Sequence, residues 1–117
     1  MKTGKSKMSI DELLTESGHT PLLDAEKEMA LIRVIQAKGT DCDEMKKLEK
    51  ANMRFIVNVA YQYQNRGLSL EKLIEAGTEG LRKGAMKYNF EADCKFIAYA
   101  VWWIHQSIIQ ELGEKEE

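Results

Sequence analysis

Met53-Arg-Phe-Ile-Val-Asn-Val-Ala-Tyr61 is apolar on more than one side when it is wound as an α-helix. A helix lying on a protein surface shows one apolar stripe, so this segment belongs at the centre of a bundle, packed from several directions. The helix around it is expected to start at a cap formed by Asp41 and Glu44 and to run to about Asn65, before Arg66-Gly67. Upstream, Asp24 caps a helix in which Met29, Ile32 and Ile35 recur at helical spacing until Gly39. Further upstream, Ser9-Ile-Asp-Glu12 forms a capping box for a short helix that ends at Gly18. Downstream, Ser69 caps a helix with Leu70, Leu73, Ile74, Gly77, Leu81 and Ala85 on its inner face, and a last helix is expected from about Glu91 to Leu112. The fold class is therefore all-α, a bundle of about five helices. Phe55, Ile56, Val59, Leu73, Ile74 and Leu81 are expected to share its core.

Gly77, Gly80 and Gly84 stand inside that fourth helix. Each costs about 1 kcal/mol of helix propensity. Close helix–helix contact, where a side chain would not fit, is the simplest compensation.

Bulk properties agree with one globular unit. The chain has 117 residues, 44% of them hydrophobic, and one proline, Pro21. That is enough apolar material for a core and too little punctuation for many short strands. Residues 1–8 are polar and basic and read as a frayed tail, with residues 9–117 as a single domain. No apolar run spans a membrane and MKTGKSKM lacks the core of a signal peptide, so a cytoplasmic location is expected. Cys42 and Cys94 have no metal-ligand spacing and read as reduced thiols. His19 and His105 have no partner at ligand spacing and no phosphate-cradling glycine loop appears, so neither an enzyme nor a cofactor is expected. The net charge of −2 gives no general support to nucleic-acid binding, which leaves charge placement to decide.

The last helix carries the most chemistry. Lys95, Tyr99, Trp102, Gln106 and Ile109 fall within about 80° of arc, and Phe96, Ala100, Trp103 and Ser107 form the adjoining stripe. Two aromatics, an amide and a lysine on one line suit a surface that stacks unpaired bases and reads one base edge. The same aromatics also suit a packed core, and periodicity leaves both readings open.

Three segments taken together resemble region 2 of the bacterial sigma-70 transcription factors: Ala51-Asn-Met-Arg-Phe-Ile-Val-Asn-Val-Ala60, Gln64-Asn-Arg-Gly-Leu-Ser69, and Lys95-Phe-Ile-Ala-Tyr-Ala-Val-Trp-Trp-Ile-His-Gln-Ser-Ile-Ile109. Residues 9–39 are similar to the family's region 1.2. The resemblance implies a helical module that binds core RNA polymerase and melts the minus-ten promoter element as a single non-template strand. It implies DNA contact through Tyr88, Lys95, Phe96, Tyr99, Trp102, Trp103 and Gln106. Tyr99 would stack on a flipped adenine, the two tryptophans would abut the edge of the bubble, and Gln106 would help read the upstream base pair. It implies polymerase contact through Lys72, Leu73, Glu75, Ala76, Thr78 and Arg82.

The chain departs from the family pattern in three places. Where the family reads Asp-Leu-Ile-Gln-Glu-Gly-Asn-x-Gly-Leu, this chain has Lys72-Leu-Ile-Glu-Ala-Gly-Thr-Glu-Gly-Leu81. The buried half survives, whereas Lys72, Ala76 and Thr78 alter the outward half. A reversed charge across an interface can cost several kcal/mol, so weak polymerase binding is expected. The family's basic turn before the last helix is replaced by Glu91-Ala92-Asp93, and its aromatic beside the lysine by Cys94. From Asn89 to Glu117 two lysines stand against six carboxylates, a net of −4, which opposes phosphate binding. His105 and Ile109 replace an arginine and a threonine that flank the promoter-reading glutamine. Two functions fit: an initiation module that binds core RNA polymerase and recognises and melts the minus-ten element, or a sigma-derived interaction or regulatory protein that keeps the fold with weakened polymerase or DNA binding.

Overall fold

The computed structural model describes residues 25–92 and 94–116, the last three by backbone alone. Among these residues there are five helices and no strand: α1 (Ala25–Lys38), α2 (Asp43–Ala51), α3 (Met53–Tyr61), α4 (Leu70–Lys87) and α5 (Phe96–Glu116). The expected helix near residues 9–17 and the caps at Ser9 and Asp24 lie outside the described residues.

Two helix ends follow the local sequence directly. Gly39 adopts φ 93° and donates its N–H to Ile35 O at 2.7 Å, closing α1 with a left-handed cap. Ser69 Oγ accepts the Lys72 amide at 3.2 Å and starts α4.

Elsewhere the boundaries move. The helix expected from Asp41 to Asn65 is two helices. Asn52 turns its side chain back and donates Nδ2 to Leu48 O at 2.9 Å, at φ −110° and ψ 9°. A side chain competing for its own helix carbonyl in this way interrupts the ladder. The start of α2 also differs, because Cys42 is the N-cap and makes no side-chain cap bond, so Asp41 and Glu44 do not cap it. The last helix starts at Phe96 rather than Glu91. Asn89 Oδ1 accepts the Glu91 amide and Asn89 O the Ala92 amide, both at 2.9 Å, so this segment is a side-chain-closed turn.

α3 is the central helix the sequence called for, with Ile56, Val57, Val59 and Ala60 all buried. Around it sit Ile32, Ile35, Met45, Leu48, Leu73, Leu81, Ala85, Phe96, Ile104 and Ile108. Phe55, expected in this core, is only half-buried and packs against its edge.

The α4–α5 pair is the most extensive in the bundle, and the three glycines explain it. A Cβ on Gly80 would meet Trp103 O and lie 2.7 Å from Ile104 Cα, which are backbone atoms that cannot swing aside. A Cβ on Gly77 would lie 2.9 Å from Ile56 Cγ2, and one on Gly84 would be 3.4 Å from Ala100 Cα. The propensity lost at the glycines is offset by direct contact of two helix backbones. At its far end, α4 is fastened to α1. Gln36 Nε2 donates to Ala85 O and Tyr88 O, each at 2.9 Å, satisfying two carbonyls that the helix end leaves unpaired.

Candidate nucleic-acid and polymerase surfaces

Because Gly80 and Gly84 fix α5 against α4, the rotation of α5 is set, and its residues divide cleanly. Phe96, Ala100, Ile104, Ser107 and Ile108 face inward. Lys95, Trp102, Gln106 and Ile109 face outward, Trp102 at 56% and Ile109 at 46% exposure. The stripe drawn from helical spacing is therefore the solvent side of the helix.

The aromatics form a connected row from interior to surface. Phe90 and Phe96 each meet Tyr88 edge-on, at 5.4 and 5.5 Å between ring centroids. Tyr88 reaches Tyr99 at 5.7 Å, Tyr99 reaches Trp103 at 6.5 Å, and Trp103 supports Trp102 at 5.1 Å with the rings nearly perpendicular. Edge-to-face pairs of this kind each add about 0.5–1.5 kcal/mol beyond their buried area. The row presents Trp102 to solvent on a rigid base, with Tyr99 half-covered beside it and its hydroxyl donating to Lys87 O at 3.2 Å.

Two residues named as DNA contacts take another part. Phe96 is fully buried and Tyr88 nearly so, and neither offers a face to a base. Tyr88 donates its hydroxyl to Cys94 O at 2.8 Å, and burial pushes its phenol above the ordinary tyrosine range, so it stays a donor. Both therefore act as supports: they hold the loop before α5 and the underside of Tyr99. Helical spacing could not separate them from the outer residues, because Phe96 lies only 100° from Lys95 and the inner arc depends on where α4 sits.

Trp103 is intermediate, with its Cδ1 over the Cβ position that Gly84 leaves empty. Its Nε1 is buried and has no hydrogen-bond partner among the described residues. Lys87 Nζ lies 5.8 Å from its ring centroid, a cation–π distance, and at the other end of the row Arg33 sits 4.1 Å over Phe90. Neither cation is marked by any pattern in the sequence, since Lys87 reaches its ring from the end of α4 to α5 and Arg33 reaches from α1 to the turn before α5. The same is true of Tyr63, whose hydroxyl meets His105 Nδ1 at 2.7 Å from 42 positions away in the chain.

On α4 the outward residues are Lys72, Glu75 and Glu79, with Ala76, Thr78 and Arg82 partly covered. Leu73, named with them, is completely buried and faces the core. Thr78 spends its hydroxyl on Ile74 O at 2.9 Å. Arg82 Nε donates to Glu49 Oε2 of α2 at 2.7 Å, and this bond raises the guanidinium's pKa further above its ordinary value. Thr78 and Arg82 are thus already engaged within the molecule.

Residues 48–116 match the family model of sigma-70 region 2, and the chain belongs to the sigma-70 family. Over 102 residues, 87% of this chain, it is 39% identical to the RNA polymerase sigma factor SigA of Clostridium acetobutylicum and 37% identical to that of Listeria monocytogenes. The match covers 26% and 27% of those proteins, so the chain spans about a quarter of their length.

Proposed function

We propose that the chain is a transcription-initiation module that docks on core RNA polymerase through the outer face of α4 and holds unpaired minus-ten promoter bases on the outer face of α5. The observation that carries this reading is Trp102, a large aromatic left 56% exposed on a base of five further rings, in line with Gln106 and Lys95. A stacked base is worth about 1–3 kcal/mol, and a glutamine can bond an adenine edge through two hydrogen bonds. The sigma factors it resembles are named for RNA polymerase, which makes core polymerase the first partner to test.

Both contacts are weak in this reading. Lys72 reverses a family charge on the docking face, Thr78 and Arg82 are bonded internally, and exposed Glu91 lies in the turn just before α5. The deciding experiment is retention on immobilised core RNA polymerase, with a housekeeping sigma factor as competitor. Retention at low salt that the competitor readily displaces is expected. No retention at any salt concentration would remove the polymerase half of the proposal and favour a regulator acting through another partner.

A further inference from the structure

Side chains from α1 and α5 divide the carbonyls at the end of α4 between them. Ala85 O and Tyr88 O each accept Gln36 Nε2 of α1 at 2.9 Å. Lys87 O, which lies between them in the chain, accepts the Tyr99 hydroxyl of α5 at 3.2 Å. The last carbonyls of a helix have no intrahelical donor and the last turn frays readily, so this turn depends on what reaches it from outside. A glutamine suits the task, because its –NH2 carries two N–H bonds and can serve both carbonyls at once. Tyr88 is also where the chain leaves the helix, at φ −63° and ψ 134°. Pinning its carbonyl fixes the plane of the peptide to Asn89, and with it the direction of the turn into α5. On α1, about 60° around the helix from Gln36, Arg33 lies 4.1 Å over the Phe90 ring and grips the same turn a second time. The phenol of Tyr99 therefore hangs from a peptide whose neighbours on both sides are held by α1.

We infer that Gln36, seconded by Arg33, is a positioning residue for base binding: by holding Ala85 O and Tyr88 O it places Lys87 O, and through that carbonyl it sets the ring of Tyr99 beside Trp103. The inference rests on the proposed reading that the outer face of α5 holds unpaired bases, and it adds to that face a support from α1. Packing and positioning make different demands on the side chain at this place. Packing needs volume, which Gln36→Met keeps while removing both N–H donors. Positioning needs donors, which Gln36→Lys restores at a helix C-terminus, where a cation is favoured.

The test uses the whole chain and two readouts: the indole N–H signals of Trp102 and Trp103 by NMR, and anisotropy of a single-stranded minus-ten oligonucleotide at low salt. Gln36→Met should shift the Trp103 signal, whose ring lies 6.5 Å from that of Tyr99, and weaken oligonucleotide binding about fivefold, the scale of one net hydrogen bond. Gln36→Lys should stay close to the unmodified chain in both. In a Tyr99→Phe background, where the tether to Lys87 O is gone, Gln36→Met should weaken binding little further, because both changes cut one chain of contacts. Arg33→Met should move both readouts in the same direction by less, and it carries the test should Gln36→Met fail to fold. Unmoved indole signals, a Gln36→Lys chain as weak as Gln36→Met, or fully additive losses with Tyr99→Phe would each overturn the assignment. Trp102→Ala separates this inference from the base-holding reading. If the indole signals move as stated while neither Gln36→Met nor Trp102→Ala alters affinity, base holding fails and the placement of Tyr99 by Gln36 stands. If Trp102→Ala weakens binding and Gln36→Met does not, base holding stands and the positioning role is overturned.

Discussion

One face of α4 lies so close to α5 that a single methyl group at Gly80 would strike backbone, while the opposite face, one residue away at every step, carries Lys72, Glu75, Thr78 and Arg82 toward solvent or a neighbouring helix. The inner face answers only to geometry. Leu73, Ile74, Gly77, Gly80 and Leu81 are buried, and each is set by the shape of what it meets. In the proposed reading the outer face answers to a docking partner, and exposed residues such as Lys72 and Glu75 can be exchanged without touching the core. That asymmetry is why the family's inner pattern persists in a chain whose outer pattern has been rewritten.

The sharpest way to break the comparison is at Gly80. Gly80→Ala should cost about 1–3 kcal/mol by overpacking against immovable backbone, and Gly80→Val should prevent folding. Urea denaturation reads both. If Gly80→Ala were as stable as the parent, the two helices would have room that the structure denies them.

The outer face should behave in the opposite sense. Lys72→Asp with Ala76→Glu and Thr78→Asn should leave the urea midpoint nearly unchanged and strengthen core polymerase binding about tenfold, the removal of one unfavourable like-charge contact. A strong loss of stability would show that the outer residues carry packing as well. Unchanged binding would show that the docking surface lies elsewhere.

The smallest effect concerns charge on the DNA side. Glu91→Arg with Asp93→Gly should raise affinity for a single-stranded minus-ten oligonucleotide and steepen its salt dependence by about 0.7 for each phosphate gained. Tyr99→Ala in that background should erase sequence preference and keep most of the added slope. Tight binding by the unmodified chain with a shallow slope would mean that stacking suffices and the acidic turn is irrelevant.

What could be read ahead of the structure follows the same division. Gly39 and Ser69 ended and began helices as their local chemistry requires, and the three glycines of α4 announced a close approach. The line of Lys95, Tyr99, Trp102, Gln106 and Ile109 was visible in helical spacing, but its exposure was not, because the same spacing suits a packed core. Errors arose where a side chain bonded its own backbone: Asn52 split one expected helix and Asn89 delayed another. They also arose where adjacent stripes differ only by what covers them, which is how buried Phe96, Tyr88 and Leu73 were grouped with surface residues. The pairing of Tyr63 with His105 depends on the turn after α3 meeting α5 at one level, and no local pattern encodes that.

The seam at Gly80 has a mechanical consequence. Two helices in backbone contact have no compressible layer of side chains between them, so neither can slide or roll without forcing the other. A load applied to α4 is transmitted to α5 as motion of one stiff beam. In the proposed reading, grip on the polymerase side would then orient the tryptophan platform as a handle orients a blade.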